Sequence, residues 1–396
     1  MSDLDTFRQT TRAWLLENCP ESQRQPIVKA EQIWGGRNRT FPSADAKAWF
    51  EAMAAKGWTA PTWPREYGGG GLSAEEAKIL QQEMARLQCR PALYEIGIWM
   101  FGPALLGFGT EAQKQEHIPK IIRGEIRWAQ GYSEPSAGSD LASLKTKAED
   151  CGDHFLVNGT KIWTTNAHLA DWIFCLVRTN PAAPKQQGIS FLLIDMASEG
   201  VSISPIELIS GESEFCQTFF DNVKVPKRNL VGELNKGWDV AKELLKHERT
   251  MMSSMESMTE KEDVSLDVLA RTHLPLNSEG QIANAELRSR IAALSMEMEA
   301  FQQLNERLYY QHKARQVDPR LGMLLKHIGT KQLQRKDELL LEILGNRALS
   351  WETHRASSTE QRITRNWAFN KSHTIAGGTS EIQLNIIAKR ALGMAS

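Results

Sequence analysis

The chain has 396 residues, 47 lysines and arginines against 48 aspartates and glutamates, and a formal net charge of −1, which offers no field for capturing nucleic acid or a membrane surface. Its 41% hydrophobic and 24% charged content is that of a globular protein, long enough for two or three domains with proper cores. Five cysteines, Cys19, Cys89, Cys151, Cys175 and Cys216, are odd in number, far apart and without a CxxC spacing, which suggests neither a disulfide framework nor a zinc site, and no metal is expected.

The first residues, MSDLDTFRQTTRAWLLENC, carry acidic groups and lack a signal-type apolar core, and no run approaches the ~18 apolar residues of a membrane span. A cytoplasmic protein is expected. Up to about residue 120 the apolar spacing is helical: Leu4, Phe7, Trp14 and Leu15 mark one stretch, and Trp49, Phe50 and Met53 mark another that Gly57 stops. Ser73 followed by Glu76 has capping-box spacing and opens a third pattern through Ile79, Leu80, Met84 and Leu87.

Between about 121 and 232 the pattern changes to short β-type runs, FLVNGTKIWTT, DWIFCLVRT, ISFLLIDM, VSISPIEL and FFDNVKVP, with Asn158-Gly159, Asn180-Pro181 and Gly188 read as separators. After Gly237 the helical period returns, interrupted by the polar stretch at 259–280. The order helices, strands, helices predicts an α+β multidomain protein: an N-terminal all-α domain (1–120), a central antiparallel β-barrel or sandwich (121–232) and a C-terminal α-helical bundle (233–396). No internal repeat or low-complexity tract is present, so function must lie in local sites.

Two segments concentrate chemistry. In WAQGYSEPSAGSDLASLKT (Trp128 to Thr146), small residues let backbone N–H groups and the Ser133 and Ser139 hydroxyls approach a flat, hydrogen-bonding ligand. In KIWTTNA (Lys161 to Ala167), the period of two puts Trp163 and Thr165 on one face of a strand, an aromatic wall beside a donor.

Together with the C-terminal IAGGTSEIQLNIIAKRAL, these segments resemble the signatures of acyl-CoA dehydrogenases, in the family's order and spacing. The resemblance implies a flavoprotein that binds FAD, takes an acyl-CoA substrate and passes electrons to an electron-transfer flavoprotein. It puts Gln130, Ser133, Ser139, Trp163 and Thr165 around the flavin ring, with Ser133 near its pyrimidine edge and Thr165 near N5, and adds Arg271, Thr379 and Glu381 to the cofactor contacts. On the substrate side it implies Ser139, Leu245, Arg249 and Gly378, with a backbone N–H and a flavin hydroxyl receiving the thioester oxygen.

The base departs from the common pattern. Most members carry a glutamate where this chain reads Gly377 in Ala376-Gly377-Gly378-Thr379-Ser380, and glycine takes no proton. In GWDVAKELLKHERTMMSSM, however, Ala241, Leu245, Glu248, Met252 and Met255 follow helical spacing, which sets Glu248 on an apolar stripe where desolvation raises its basicity. Glu248-Arg249 resembles the pair of the isovaleryl-type branch, so Glu248 is the expected catalytic base. A purely structural Glu248, paired to a neighbouring cation, is the alternative.

The segments with which family tetramers complete the FAD adenine site across an interface are altered. Ala270-Arg271-Thr272-His273-Leu274 keeps the arginine but lacks Phe-Gly, and Glu342-Ile343-Leu344-Gly345-Asn346 brings a glutamate that would repel a pyrophosphate. Both a divergent homo-oligomer and a heterotetramer with a homologous acyl-CoA dehydrogenase subunit, as in the large subunits of heteromeric dehydrogenases of dicarboxylate and steroid side-chain degradation, fit this. Two further readings are a flavin oxidase or monooxygenase on the same scaffold and a non-catalytic partner subunit. The acyl chain itself is not legible, although Leu244, Leu245 and the segment from Tyr94 to Trp99 are expected near it.

Overall fold

The computed structural model describes residues 3–27, 31–245, 264–313, 319–349, 351 and 357–394. They fall into two compact units: the described parts of Met1–Ile206 with Glu214–Lys261, and of Glu207–Ser213 with Glu262–Ser396.

The first unit begins with helices α1 (Asp3–Asn18), α2 (Ala44–Ala55) and α3 (Ala74–Arg86), whose Leu15, Trp49, Met53 and Leu80 close one apolar core. Both bonds of the Ser73/Glu76 capping box form at the start of α3. At the end of α2, Gly57 sits at φ 68, and Trp58 N–H reaches Met53 O while Gly57 N–H reaches Ala54 O, the paired bonds that close a helix on a left-handed glycine. The helical periodicity conceals Glu83, buried on α3 between Arg8 and Arg12 of α1, whose guanidinium bonds outweigh burial and hold the carboxyl down to about 2. A π-helical turn (Gly97–Phe101), α4 (Gly102–Phe108) and α5 (Glu111–Ile122) complete the helical part.

Eight strands follow: β1 (Trp128–Gly131), β2 (Lys147–Asp150), β3 (His154–Thr165), β4 (Trp172–Arg178), β5 (Ile189–Asp195), β6 (Val201–Ile206), β7 (Phe215–Pro226) and β8 (Leu230–Val231). They run in the order β6-β7-β3-β2-β4-β5-β8, with β1 paired to β4. The sheet is open and folded into a sandwich rather than closed as a barrel. Ile173, Cys175, Val177, Leu192 and Ile194 face Phe155, Val157, Phe220 and Val223 in one core. Alternate residues Phe174, Leu176, Phe191 and Leu193 enter a second core with Phe101, Leu105, Ile118 and Ile121 of the helices. Burial on both faces explains why β4 and β5 read as continuous apolar runs.

The expected all-antiparallel pairing is corrected in two places: β1 pairs β4 in parallel, and β2 meets β4 in parallel at Lys147 and Arg178. The 40 residues between β1 and β4 form a crossover long enough for parallel pairing, which a hairpin turn is not. Asn158-Gly159 is likewise not a turn. It lies inside β3 at a register shift, where Gly159 (φ 150) leaves no room for a Cβ, which would come within 2.6 Å of Thr146.

Helix α6 is described over 237–245 and packs Val240, Ala241 and Leu244 into the core between helices and sheet. Its first residue, Gly237, lies so close to β5 that a Cβ would fall 2.4 Å from the Ser190 carbonyl carbon. Gly237→Ala should therefore cost about 1–3 kcal/mol, as overpacking does; the urea midpoint checks it, and an unchanged midpoint contradicts the close approach.

The second unit is helical: α7 (Leu266–His273), α8 (Ala285–Lys313), α9 (Pro319–Leu344), α10 (Ser358–Asn370) and α11 (Ser380–Ile386). Its core joins Leu266, Leu269 and Ala270 to Leu287, Ile291, Leu294, Leu340, Ile343 and Ile363. Helix α7 thus occupies a stretch read as a polar interruption, because only three of its eight residues turn inward.

Candidate functional site

The turn after β1 and the end of β3 are held against each other from inside. Ile162 N–H donates to Ser133 O (2.9 Å), and Lys161, fully buried, donates from Nζ to Tyr132 O (3.1 Å) and to Glu134 Oε1 (2.8 Å). Glu134 also accepts from the backbone N–H of Lys145 (2.6 Å) and Thr146 (2.8 Å), so one carboxylate pins both ends of the SEPSAGSDLASLKT segment. Burial would push its acidity down in strength, but Lys161 and these donors outweigh it and hold the Glu134 carboxyl below its ordinary range.

Around this buried clamp, the expected ligand-facing residues are the accessible ones. Gln130, Ser133 and Thr165 are half-buried and Ser139 is exposed, whereas Ala129, Gly131, Tyr132 and Thr164 between them are buried. Trp163 is 53% exposed and has φ 60, a left-handed conformation that costs a non-glycine residue and recurs at ligand sites. Its ring meets Phe215 edge-on at 6.1 Å.

The same distortion separates Lys161, which continues the inward face of Phe155 and Val157, from Trp163. Strict alternation sets Lys161 on the face of Trp163 and Thr165, but the register shifts between Lys161 and Thr164, and both of these turn inward. No residue of KIWTT announces the bulge, because tryptophan is a rare occupant of positive φ.

A second buried group, Glu95, lies in the segment from Tyr94 to Trp99. It is fully buried; Oε1 accepts from the N–H of Trp128 (2.9 Å) and Gly97 (3.3 Å), and Oε2 has no partner among the described residues. It therefore anchors the start of β1, two residues before Gln130. Burial pushes its carboxyl up to about 7, against the opposing pull of those N–H groups and Arg127. With the unfolded carboxyl titrating at about 4.3, the native state holds the extra proton between these values, so stability falls as pH rises across that window. Glu95→Gln should gain roughly 3 kcal/mol over the parent at pH 8 and little at pH 4; denaturation at the two pH values tests this, and equal gains would contradict it.

A cleft of about 380 Å³ opens where α6 begins, lined by Gln186, Gln187, Lys236, Trp238 and Lys242 among others. Asn235, at φ 66, shapes it by donating its N–H to Ser190 Oγ (2.8 Å) and accepting from Thr179 Oγ1 (2.6 Å). Further along α6, Leu244 is fully buried and Leu245 half-buried in the same core. Glu248 and Arg249 lie outside the described residues.

In the second unit, Gly377 (φ 64) and Gly378 (φ 99) make a loop whose carbonyls are taken by Gln383 Nε2 (3.3 Å) and Lys326 Nζ respectively. Thr379 caps α11 by accepting from Ile382 N–H, and Glu381 is exposed in its first turn. Arg271 is exposed and engaged by Asp267 (3.0 Å) and Gly280 O (3.0 Å). Glu342, read as repelling a pyrophosphate, pairs with Arg290 at 2.8 Å, so its charge is largely offset locally.

Comparison with known proteins decides the family. Residues 2–125 match the acyl-CoA dehydrogenase N-terminal domain, 129–223 the middle domain and 235–392 the C-terminal domain. Acyl-CoA dehydrogenase IpdE1 of Mycobacterium tuberculosis is 32% identical over 407 residues, which span 100% of this chain and 98% of the relative. The chain belongs to the acyl-CoA dehydrogenase family. Among solved structures, the Tcur3481-Tcur3483 steroid ACAD is 30% identical with a TM-score of 0.74, over 99% of this chain and 97% of that one. The ChsE4-ChsE5 complex from Mycobacterium tuberculosis is 27% identical with a TM-score of 0.70, over 100% and 98%.

As an acyl-CoA dehydrogenase, the protein is an oxidoreductase acting on CH–CH bonds, and its family is FAD-dependent. The residues present fit a flavin ring: a flat indole left exposed on strained backbone beside accessible hydroxyls is the donor set and wall that a planar, hydrogen-bonding heterocycle needs. Among the described residues no cluster suits a metal, and no helix is long and apolar enough to cross a membrane.

Proposed function

We propose that this acyl-CoA dehydrogenase carries out FAD-dependent α,β-dehydrogenation of a bulky acyl-CoA thioester, with Glu248 as base, as one subunit of a heterotetramer with a homologous chain. The reading is carried by the clamp of Lys161 and Glu134, which docks the SEPSAGSD turn on the KIWTT strand and leaves Ser133, Ser139, Trp163 and Thr165 accessible. Gln130, Ser133 and Thr165 would hold the edge of the cofactor and Trp163 its face. When bound, FAD supplies the hydride acceptor that the polypeptide lacks.

Glu248 would take the proton from the carbon α to the thioester, while a backbone N–H, with Gly378 on the substrate side, and a flavin hydroxyl would receive the thioester oxygen and so favour the enolate. The cleft with Trp238, Lys236 and Lys242 offers stacking and positive charge to the base and phosphates of the coenzyme A tail, with Lys242 shared by Asp239 of the same cleft at 2.7 Å. Leu245 and Arg249 belong to the substrate side, and Thr379, Glu381 and Arg271 to the cofactor side. Domain limits of 1–120, 121–232 and 233–396 go with this assignment.

Two considerations support a partner and a large acyl group. The adenine-side segments around Arg271 and Glu342 depart from the family pattern, and the relatives include a steroid ACAD and a complex of two named chains. An electron-transfer flavoprotein is the fitting electron acceptor.

Incubation with steroid side-chain and straight-chain acyl-CoA thioesters and an artificial electron acceptor tests the reading by mass spectrometry. Loss of two hydrogens from the bulky thioester is expected, with flavin occupancy rising when a homologous subunit is co-expressed. An unaltered thioester overturns the activity, full flavin occupancy in a homo-oligomer removes the partner, and stoichiometric peroxide replaces the dehydrogenase with an oxidase.

A further inference from the structure

We propose that Lys161 is a positioning residue that sets the redox poise of the bound flavin through the Tyr132–Ser133 peptide group. The inference rests on the flavin reading above and concerns a residue to which that reading gives no electronic role.

Lys161 shares the inward alternation of Phe155 and Val157 on β3, and the strand breaks register just after it, at Ile162 and Trp163. Its side chain is fully excluded from solvent, and its Nζ has two acceptors, Tyr132 O at 3.1 Å and Glu134 Oε1 at 2.8 Å. The first is the carbonyl of the peptide whose N–H belongs to Ser133. An ammonium on a peptide oxygen draws electrons across the amide and makes its N–H a stronger donor, more so at low dielectric. The Ser133 N–H makes no hydrogen bond among the described residues, so this strengthened donor is not consumed by the fold. The next peptide is fixed as well, because Ser133 O accepts from Ile162 N–H at 2.9 Å.

Glu134 moderates the effect. Its carboxylate shares the ammonium, and the N–H groups of Lys145 and Thr146 hold it in place. The pair is therefore a buried dipole behind Ser133: the cation pulls on the Tyr132 carbonyl, and the anion limits how far. A flavin edge resting on Ser133 gains negative charge on reduction, and a stronger donor there favours the reduced form over the oxidised one. Removing the cation should lower the midpoint potential, and removing the anion should raise it.

The test is the two-electron midpoint potential of flavin bound to the assembled protein, measured by equilibration with reference dyes, together with the dissociation constant of oxidised FAD. Lys161→Met should shift the ratio of reduced to oxidised affinity about tenfold toward the oxidised form, a charge-assisted bond's worth, which is about 30 mV more negative for a two-electron couple. Glu134→Gln should move the potential the other way. A merely structural clamp would weaken flavin binding in both variants and leave the potentials unmoved or shifted in the same direction, and either result overturns the proposal.

If Lys161→Met does not fold, Glu134→Gln decides alone: a more positive potential supports the proposal, and an unchanged or more negative one defeats it. A parent protein that takes up no flavin with or without a homologous subunit defeats the flavin reading and this inference together. A parent that binds flavin, with variants of unaltered potential, defeats the inference only.

Discussion

Glu248→Gln should keep its flavin and lose substrate-driven bleaching, with turnover falling by about 10²–10⁴-fold, the usual contribution of a positioned general base. Glutamine has the shape of glutamate and no basicity, so cofactor uptake and substrate affinity are the controls. The expectation is anchored upstream: Ala241 and Leu244 of α6 are fully buried, and Leu245 is half-buried against the same core. Position 248 follows Leu244 by four residues and Ala241 by seven, the interval of that stripe. Nothing at the usual tail position competes for the role, because Gly377 is exposed and carries no side chain. Stopped-flow reduction by the substrate checks the prediction, and undiminished bleaching would remove Glu248 from the chemistry.

Glu134→Ala should cost about 3–5 kcal/mol, because it leaves the Lys161 ammonium buried without its counter-charge. Lys161 is fully buried and Glu134 nearly so, and the pair is 2.8 Å apart. Chemical denaturation measures the loss. Replacing both residues by apolar ones of similar volume should recover most of it, since a buried pair is close to neutral against such a replacement. The pH dependence follows from the depressed carboxyl. Its contribution is complete above the ordinary carboxylate value of about 4.3 and disappears as pH falls through the lower folded value, so parent and variant should converge in strong acid. A stability gap that stayed constant down to that range would contradict the ion pair.

Much of the scaffold could be read from residue spacing, because local rules act at full strength there. The Ser73/Glu76 box and the Gly57 stop are satisfied bond by bond. The runs in β4 and β5 were legible as strands, while their burial on both faces, the reason they do not alternate, shows only in the packing. The set Gln130, Ser133, Ser139, Trp163 and Thr165 comes from the family resemblance; accessibility of its hydroxyls is ordinary for serine and threonine, while an indole left 53% exposed is not.

What stayed hidden depends on long-range packing or on a single distorted residue. Alternation puts Lys161 on the face of Trp163 and Thr165, and only the break at Ile162 and Trp163, after Lys161, separates the buried lysine from the exposed indole. Gly159 looks like a hairpin glycine until Thr146 is seen to occupy the space its Cβ would need. Glu95 carries no signal in its own segment, because its partners are the backbone N–H groups of Gly97 and Trp128, the second of them 33 residues away. Helix α7 was masked by its polar exterior, although Leu266, Leu269 and Ala270 carry helical spacing.

Anaerobic titration of the flavin-loaded protein, alone or with a homologous subunit where flavin uptake requires one, against a panel of acyl-CoA thioesters tests the activity most directly. Stepwise loss of the oxidised flavin band with a bulky side-chain thioester, and none in Glu248→Gln, is the expected result. A band that persists through excess thioester in a fully loaded protein would contradict it.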